Sequence, residues 1–288
     1  MKLSSVMGNS QKLDGGAMFG NAPKALWTRW VAADDLNRID LACRALLVET
    51  ENHKILFEAG IGAYMEPKYR DRYGVQESEH VLLESLANLG LGHEDIDAVV
   101  LSHLHFDHAG GLMAAYEPNQ PARLLFPNAQ FYAGRQAWAR ARDPHPRDRA
   151  SFVPDLNRLL EESGRLNLVD ISDVLHFDEL SVRFHISEGH TPGMLLADLR
   201  WSDRRLVFAA DLIPGRPWVH LPITMGYDRY PERLIDEKRE LLTSLNADGG
   251  YLYFTHDAEV CAAKVAFDET KKKFSPVAQV TALERGEL

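Results

Sequence analysis

The chain is predicted to fold as a layered α/β protein, because short apolar runs alternate with helix-period patterns through both of its halves. Hydrophobic residues make up 45% and charged residues 26% of the sequence, enough apolar material for a sizeable core. At 288 residues the chain exceeds the usual domain size, yet large α/β layers reach it as one unit. We expect a single domain over 1–288, with an N-terminal extension at 1–38 and a surface excursion at 140–160, either a lid or a plain loop.

The elements follow in order. CRALLVE (43–49) and KILFEAG (54–60) read as two strands with a turn at Glu51 and Asn52. In ESEHVLLESLANL (77–89), Val81, Leu82, Leu86 and Leu89 fall at helical spacing. DAVVLSH (97–103) is an apolar strand, AQFYAG (129–134) another, and a helix starts at AWARA. SVRFHISEGH (181–190), MLLADLRW (194–201) and RLVFAAD (205–211) are three further strands. PERLIDEKRELLTSL (231–245) is a helix with Pro231 in its first turn. YLYFTH (251–256) is a strand, and a short helix is expected near 258–273.

A formal net charge of −10 and the lack of a Lys/Arg stripe argue against a nucleic-acid groove. No segment is long and apolar enough for a membrane span or a signal peptide, so no membrane partner and a cytoplasmic location are expected. The two cysteines, Cys43 and Cys261, lie far apart and read as buried thiols rather than a disulfide.

The chemistry is concentrated in SHLHFDHAGG (102–111), where His103, His105, Asp107 and His108 follow directly on an apolar strand. Imidazole and carboxylate are natural ligands of borderline divalent metals. An extended strand end sends residues 103 and 105 to one side. The chain then turns, bringing Asp107 and His108 from a second direction, and Gly110 and Gly111 relieve crowding there. Closing one tetrahedral site with all four would leave no open position, so two metals and further ligands are expected. His190, Asp211 and His256 each terminate an apolar strand, where open α/β sheets gather their sites. His53, His80, His93, His145, His176 and His185 read as ordinary core or surface histidines.

This ligand set resembles the metallo-β-lactamase superfamily, which implies an αββα four-layer sandwich with a dinuclear metal site at one edge. The resemblance implies that His103, His105 and His190 hold the first ion and Asp107, His108 and His256 the second, with Asp211 bridging. Glu58, in FEAGIG, stands where the superfamily usually has an aspartate behind the ligands. Segments 12–24 and 210–231 are similar to the branch containing N-acyl-homoserine lactonases of quorum quenching and organophosphate hydrolases. Where better-studied lactonases have a tyrosine three residues after the bridging aspartate, this chain has Pro214, leaving Tyr227 as the candidate.

The resemblance therefore implies a lactonase of the ester-hydrolase class, in which a hydroxide held between two ions attacks a lactone carbonyl. Zinc is the first choice of metal, with manganese, cobalt or iron accepted by the same donors. Asp107 and Asp211 are the catalytic candidates, Asp107 as the proton carrier to the leaving alkoxide. His220, Tyr227, Met18, Phe19, Trp27, Phe106 and Met225 are candidate substrate contacts. A phosphotriesterase or arylesterase on the same scaffold is the alternative, and a non-catalytic metal-binding protein a third reading. The expected partner is a small lactone or ester, with a homodimer left open through the apolar residues of 16–31.

Overall fold

The computed structural model describes residues 1–288. The strands are, in chain order, Lys2–Met7 (β1), Gln11–Asp14 (β2), Arg38–Leu41 (β3), Arg44–Glu49 (β4), Lys54–Phe57 (β5), Ala98–Leu101 (β6), Gln130–Gly134 (β7) and Leu166–Val169 (β8). Then come Val174–Phe177 (β9), Leu180–Ser187 (β10), Met194–Trp201 (β11), Arg204–Phe208 (β12), Tyr251–Tyr253 (β13), Ala262–Asp268 (β14) and Lys273–Val280 (β15). They form a six-stranded sheet, β1-β4-β5-β6-β7-β8, and a seven-stranded sheet, β15-β14-β13-β12-β11-β10-β9, with β2 and β3 as a separate pair.

Period-two alternation explains the layering. Along β4, Leu46 and Val48 join the largest apolar cluster, which they share with Leu195, Leu206 and Phe208 of the other sheet. Ala45 and Leu47 face the opposite way, into a second cluster with Leu82, Leu86, Trp138, Leu156 and Leu160 of the helices. A strand buried on both faces reads as a continuous apolar run, as RALLVE does. Phe57 and Phe208 stack across the space between the sheets, with ring centroids 6.2 Å apart. The helices Val81–Asn88, Arg135–Arg142 and Pro154–Glu162 cover the first sheet. The long helix Pro231–Asp248 buries Leu234, Leu241, Leu242 and Leu245 in the larger cluster and ends at Gly249, whose φ of 72° provides the left-handed cap.

Two expectations are corrected. Residues 258–273 do not form a helix: β14 and β15 pair antiparallel there, turning through Lys272 at φ 50°. Residues 1–38 are not an appendage either. β1 pairs with β4 along its full length, β2 pairs with β3, and Met18, Phe19 and Trp27 are buried in the main cluster. Within 140–160, Arg140 binds Asp148 at 2.7 Å, and a helix starts at Pro154, so the excursion is folded back on itself. Cys43 and Cys261 are buried free thiols, as expected. No helix is long and apolar enough to cross a membrane.

Lys238 secures the loop that follows β12. Its buried ammonium donates to the carbonyls of His220, Leu221 and Ile223, while burial pushes its pKa down to about 7. That loop carries Met225, Tyr227 and Asp228, all of which return below.

Candidate metal centre

Four strand ends meet at one edge of the sandwich. β6 stops at Leu101 and delivers His103 and His105, with Asp107 and His108 in the helical turn Phe106–Ala109. β10 runs out ahead of His190, β12 ahead of Asp211 and β13 ahead of His256. All seven side chains are buried. The close backbone approach expected at the glycines is present, since a Cβ on Gly111 would strike the Ala59 carbonyl oxygen and one on Gly110 that of Ile61. Ala210, just before Asp211, sits at φ 44° and Glu58 at φ 63°, left-handed conformations that cost a non-glycine residue energy.

Four groups of donors have ligand atoms within 4.8 Å of one another. One joins Glu58 to His103 and His108, and another joins Cys43 to Asp107 and His256. The other two contain a central carboxylate: His103, His105, His190 and Asp211, and His108, Asp211 and His256. Asp211 belongs to both. Its Oδ2 lies 3.1 Å from His190 Nε2 and 3.3 Å from His108 Nε2, and its Oδ1 3.1 Å from His256 Nε2. Asp107 stands beside the second group, Oδ2 at 3.7 Å from His256 Nε2 and Oδ1 at 3.8 Å from His108 Nε2.

The inner atoms lack the hydrogen bonds that burial demands. His105 Nδ1 faces His190 Nε2, and His108 Nε2 faces His256 Nε2, each pair at 3.3 Å. His103 Nε2 and Asp211 Oδ1 are buried with no hydrogen-bond partner. Convergent nitrogen and carboxylate lone pairs of this kind are satisfied by cations, and five imidazoles with two carboxylates suit two borderline divalent ions. The residues fit the group.

The outer ring nitrogens are fixed by acceptors, as ligand histidines require. Glu58 Oε2 accepts from His108 Nδ1 at 2.9 Å. Its other oxygen accepts from Ser102 Oγ, which in turn lies 2.8 Å from His103 Nδ1, so one carboxylate orients two imidazoles. Asp228 Oδ1 takes His190 Nδ1 at 2.9 Å, and the Ala42 carbonyl takes His256 Nδ1 at 2.6 Å. Gln11 Nε2 donates to Asp107 Oδ2 at 2.9 Å. His105 differs: its ring packs edge-on against Phe152, centroids 4.8 Å apart, and its Nε2 is buried with no hydrogen-bond partner. Glu58 was in view from the sequence, whereas Ser102, Asp228 and Gln11 were not. Ser102, the first residue of the motif, was the one with a local signal.

Burial, reinforced by neighbouring histidines, holds His103 and His105 well below the ordinary imidazole pKa, in the neutral form that binds metal. At His108 and His256 burial acts in the same direction, but carboxylates outweigh it and raise both, Glu58 and Asp211 at His108 and Asp211 at His256. Burial would keep Asp211 protonated; the imidazoles around it reverse that and hold it well below the carboxylate range.

Of the expected substrate contacts, Met18, Phe106, Met225 and Tyr227 line a cavity of about 290 Å³ that reaches His105, Asp107, His190, Asp211 and His256. His220 does not. It lines a neighbouring cavity with Trp30 and Trp218, which shares only Leu41 and His256 with the first. Phe19 and Trp27 are fully buried and stacked at 5.3 Å, part of the core rather than of a wall. His53, His80, His93 and His185 bond to Asp178, Gly111, Phe126 and Asp198 respectively, away from the cluster.

The profile of the metallo-beta-lactamase superfamily matches residues 38–256, a span that includes all seven donors. The chain belongs to the metallo-beta-lactamase superfamily. Its layered sheets are that superfamily's fold, in agreement with the sequence expectation. An N-acyl homoserine lactonase of a Bacillus species is 26% identical over 167 residues, 54% of this chain. The match spans 57% of that relative's length. A probable metal-dependent hydrolase from Staphylococcus aureus is 26% identical, with a TM-score of 0.85 over 99% of this chain and 98% of that one. AidC, a dizinc quorum-quenching lactonase solved with a homoserine product, aligns with a TM-score of 0.72 over 96% of this chain and 93% of its own. At 20% identity that likeness is one of fold.

Proposed function

We propose that this superfamily member is a metal-dependent hydrolase that opens lactones, N-acyl-homoserine lactones or related rings among them. The observation that carries the reading is Asp211, shared between two donor groups on the wall of a substrate-sized cavity. His103, His105 and His190 would hold one ion and Asp107, His108 and His256 the other, with Asp211 on both. Two divalent ions there, zinc first, supply polarisation of an ester carbonyl and a water that ionises near neutral pH.

The remaining steps belong to the protein. Glu58, Ser102, Asp228 and the Ala42 carbonyl hold the imidazoles in the tautomers that point inward. Gln11 holds Asp107 against the cavity, where its carboxylate can pass a proton to the alkoxide leaving the opened ring. Burial and the nearby Asp107 charge push the Tyr227 phenol up, so it stays a neutral donor that can hydrogen-bond the substrate carbonyl. It supplies the hydroxyl that Pro214 cannot. Phe106, Tyr73 and Ala150 divide this cavity from a second one of about 440 Å³, lined largely by apolar side chains. An acyl or aryl arm of the substrate fits that continuation.

The test is a panel of acyl-homoserine lactones, aryl lactones and a paraoxon-like phosphotriester, run with and without chelator. Lactones are expected to be the best substrates by kcat/KM, and chelation is expected to remove turnover. A phosphotriester preferred over every lactone would move the assignment to the phosphotriesterase reading. Turnover indifferent to chelation would overturn the metal-dependent one.

A further inference from the structure

The charge lining the cavity is not accounted for by metal binding and lactone opening. Arg147 and Arg229 both contribute to its wall, together with the candidate ligands His105, Asp107, His190, Asp211 and His256. In a chain of net charge −10 most arginines find a carboxylate; these two make no ion pair. Arg147 spends one donor on the Gly226 carbonyl, Nη2 to oxygen at 2.8 Å. That bond fastens the 140–160 excursion to the loop carrying Met225 and Tyr227. The Arg229 side chain has no hydrogen-bond partner, although its backbone nitrogen is tied to the Gly189 and His190 carbonyls at 2.8 and 3.2 Å. The arginine is therefore anchored next to a candidate ligand while its five donors stay free.

No carboxylate nearby forms an ion pair with either arginine. Asp148 also lines the cavity; its Oδ2 accepts two donors of Arg140, Nε at 2.9 Å and Nη2 at 2.7 Å, and its Oδ1 is buried without a hydrogen-bond partner. Asp107 and Asp211 are directed into the histidine cluster. Arg229 is half-buried and Arg147 exposed, both on the wall of the one cavity. A planar guanidinium in that situation gains most from a bidentate anion.

We propose that the substrate carries an anionic group, a carboxylate or a phosphate, seated between Arg147 and Arg229 while its ester bond lies over the histidine cluster. The inference rests on the hydrolase reading and narrows it. A neutral acyl lactone would leave both arginines unpaired on binding. An anionic lactone or ester pairs them and is oriented by them, with Phe106 and Met225 on its apolar side.

Matched γ-butyrolactones bearing a carboxymethyl, phosphonomethyl or carboxamidomethyl group test this on the metal-loaded protein. One anionic lactone is expected to exceed the isosteric amide in kcat/KM by about tenfold or more, chiefly through KM. Which of the two anions leads identifies the carboxylate or the phosphate as the natural group. The anion-to-amide ratio is expected to fall close to one in Arg229→Gln and in Arg147→Gln, and to be partly kept in Arg229→Lys. The corresponding γ-lactams, titrated calorimetrically, report the same preference without turnover. Lactams that bind with the preference while all lactones stay inert would support the anion site and refute the hydrolase. Lactones hydrolysed with no preference, or with one that survives both glutamine variants, would overturn the anion site and leave the hydrolase standing.

Discussion

Asp211→Ala is expected to lower kcat/KM for any ester or lactone by about a thousandfold or more, roughly 4 kcal/mol of transition-state stabilisation, in a protein that remains folded. Asp211 is the one side chain common to both donor groups, with Oδ2 turned to His190 and His108 and Oδ1 to His256. On the proposed two-ion reading, its loss would remove a ligand from each ion at once. The fold should survive because Asp211 lies past the end of β12, in the short turn Ala210–Leu212, at the edge of the layers rather than in the core between them. Steady-state kinetics alongside far-ultraviolet circular dichroism check both halves. Full activity in the folded variant would remove Asp211 from the account.

Glu58→Ala is expected to be the most damaging change among residues that touch neither substrate nor metal. Glu58 is 1% exposed and accepts from His108 Nδ1 and from Ser102 Oγ. Removing it leaves both donors buried without acceptors and frees two imidazoles to turn. Breaking a buried pair of this kind costs about 3–5 kcal/mol, and loss of an outer partner lowers metal affinity about 10- to 100-fold. Denaturant unfolding and competition with a chromophoric chelator measure the two effects. A stability loss under about 1 kcal/mol with unchanged metal affinity would show that Glu58 only fills space.

The donors were legible because they are local in sequence or mark strand ends. Four sit within six residues, and His190, Asp211 and His256 each follow an apolar run whose strand character the structure bears out. The side chains that orient them were mostly not legible. Asp228 reaches His190 across 38 positions and Gln11 reaches Asp107 across 96, contacts that only the tertiary fold creates. Arg147 and Arg229 are ordinary surface-type residues by sequence, brought to one wall by a loop and an excursion with no periodicity to read. The aromatic residues divided for a similar reason. Phe106 and Phe19 look alike as apolar residues beside the motifs, yet one faces the cavity and the other is sealed between Trp27 and Trp218.

The C-terminal error has a local cause. KVAFDETKKKF offers charged and apolar residues that fit a helix face as well as a hairpin. Pairing decides for the hairpin, since β14 completes an antiparallel edge on β13 and β15 covers it, with Pro276 tolerated in the outermost strand. At the other end, KLSSVM is too polar to stand out as a strand. β4 nevertheless pairs with it residue by residue, and Leu3 and Val6 are buried on opposite faces of the sheet.

The central claim is a pair of ions on one shared carboxylate, and the metal content of the purified protein tests it most directly. After equilibration with zinc and removal of the excess, elemental analysis is expected to give close to two ions per chain, with activity returning in step as the second site fills. A plateau at one ion with full activity, or no retained metal in a folded protein, would contradict it.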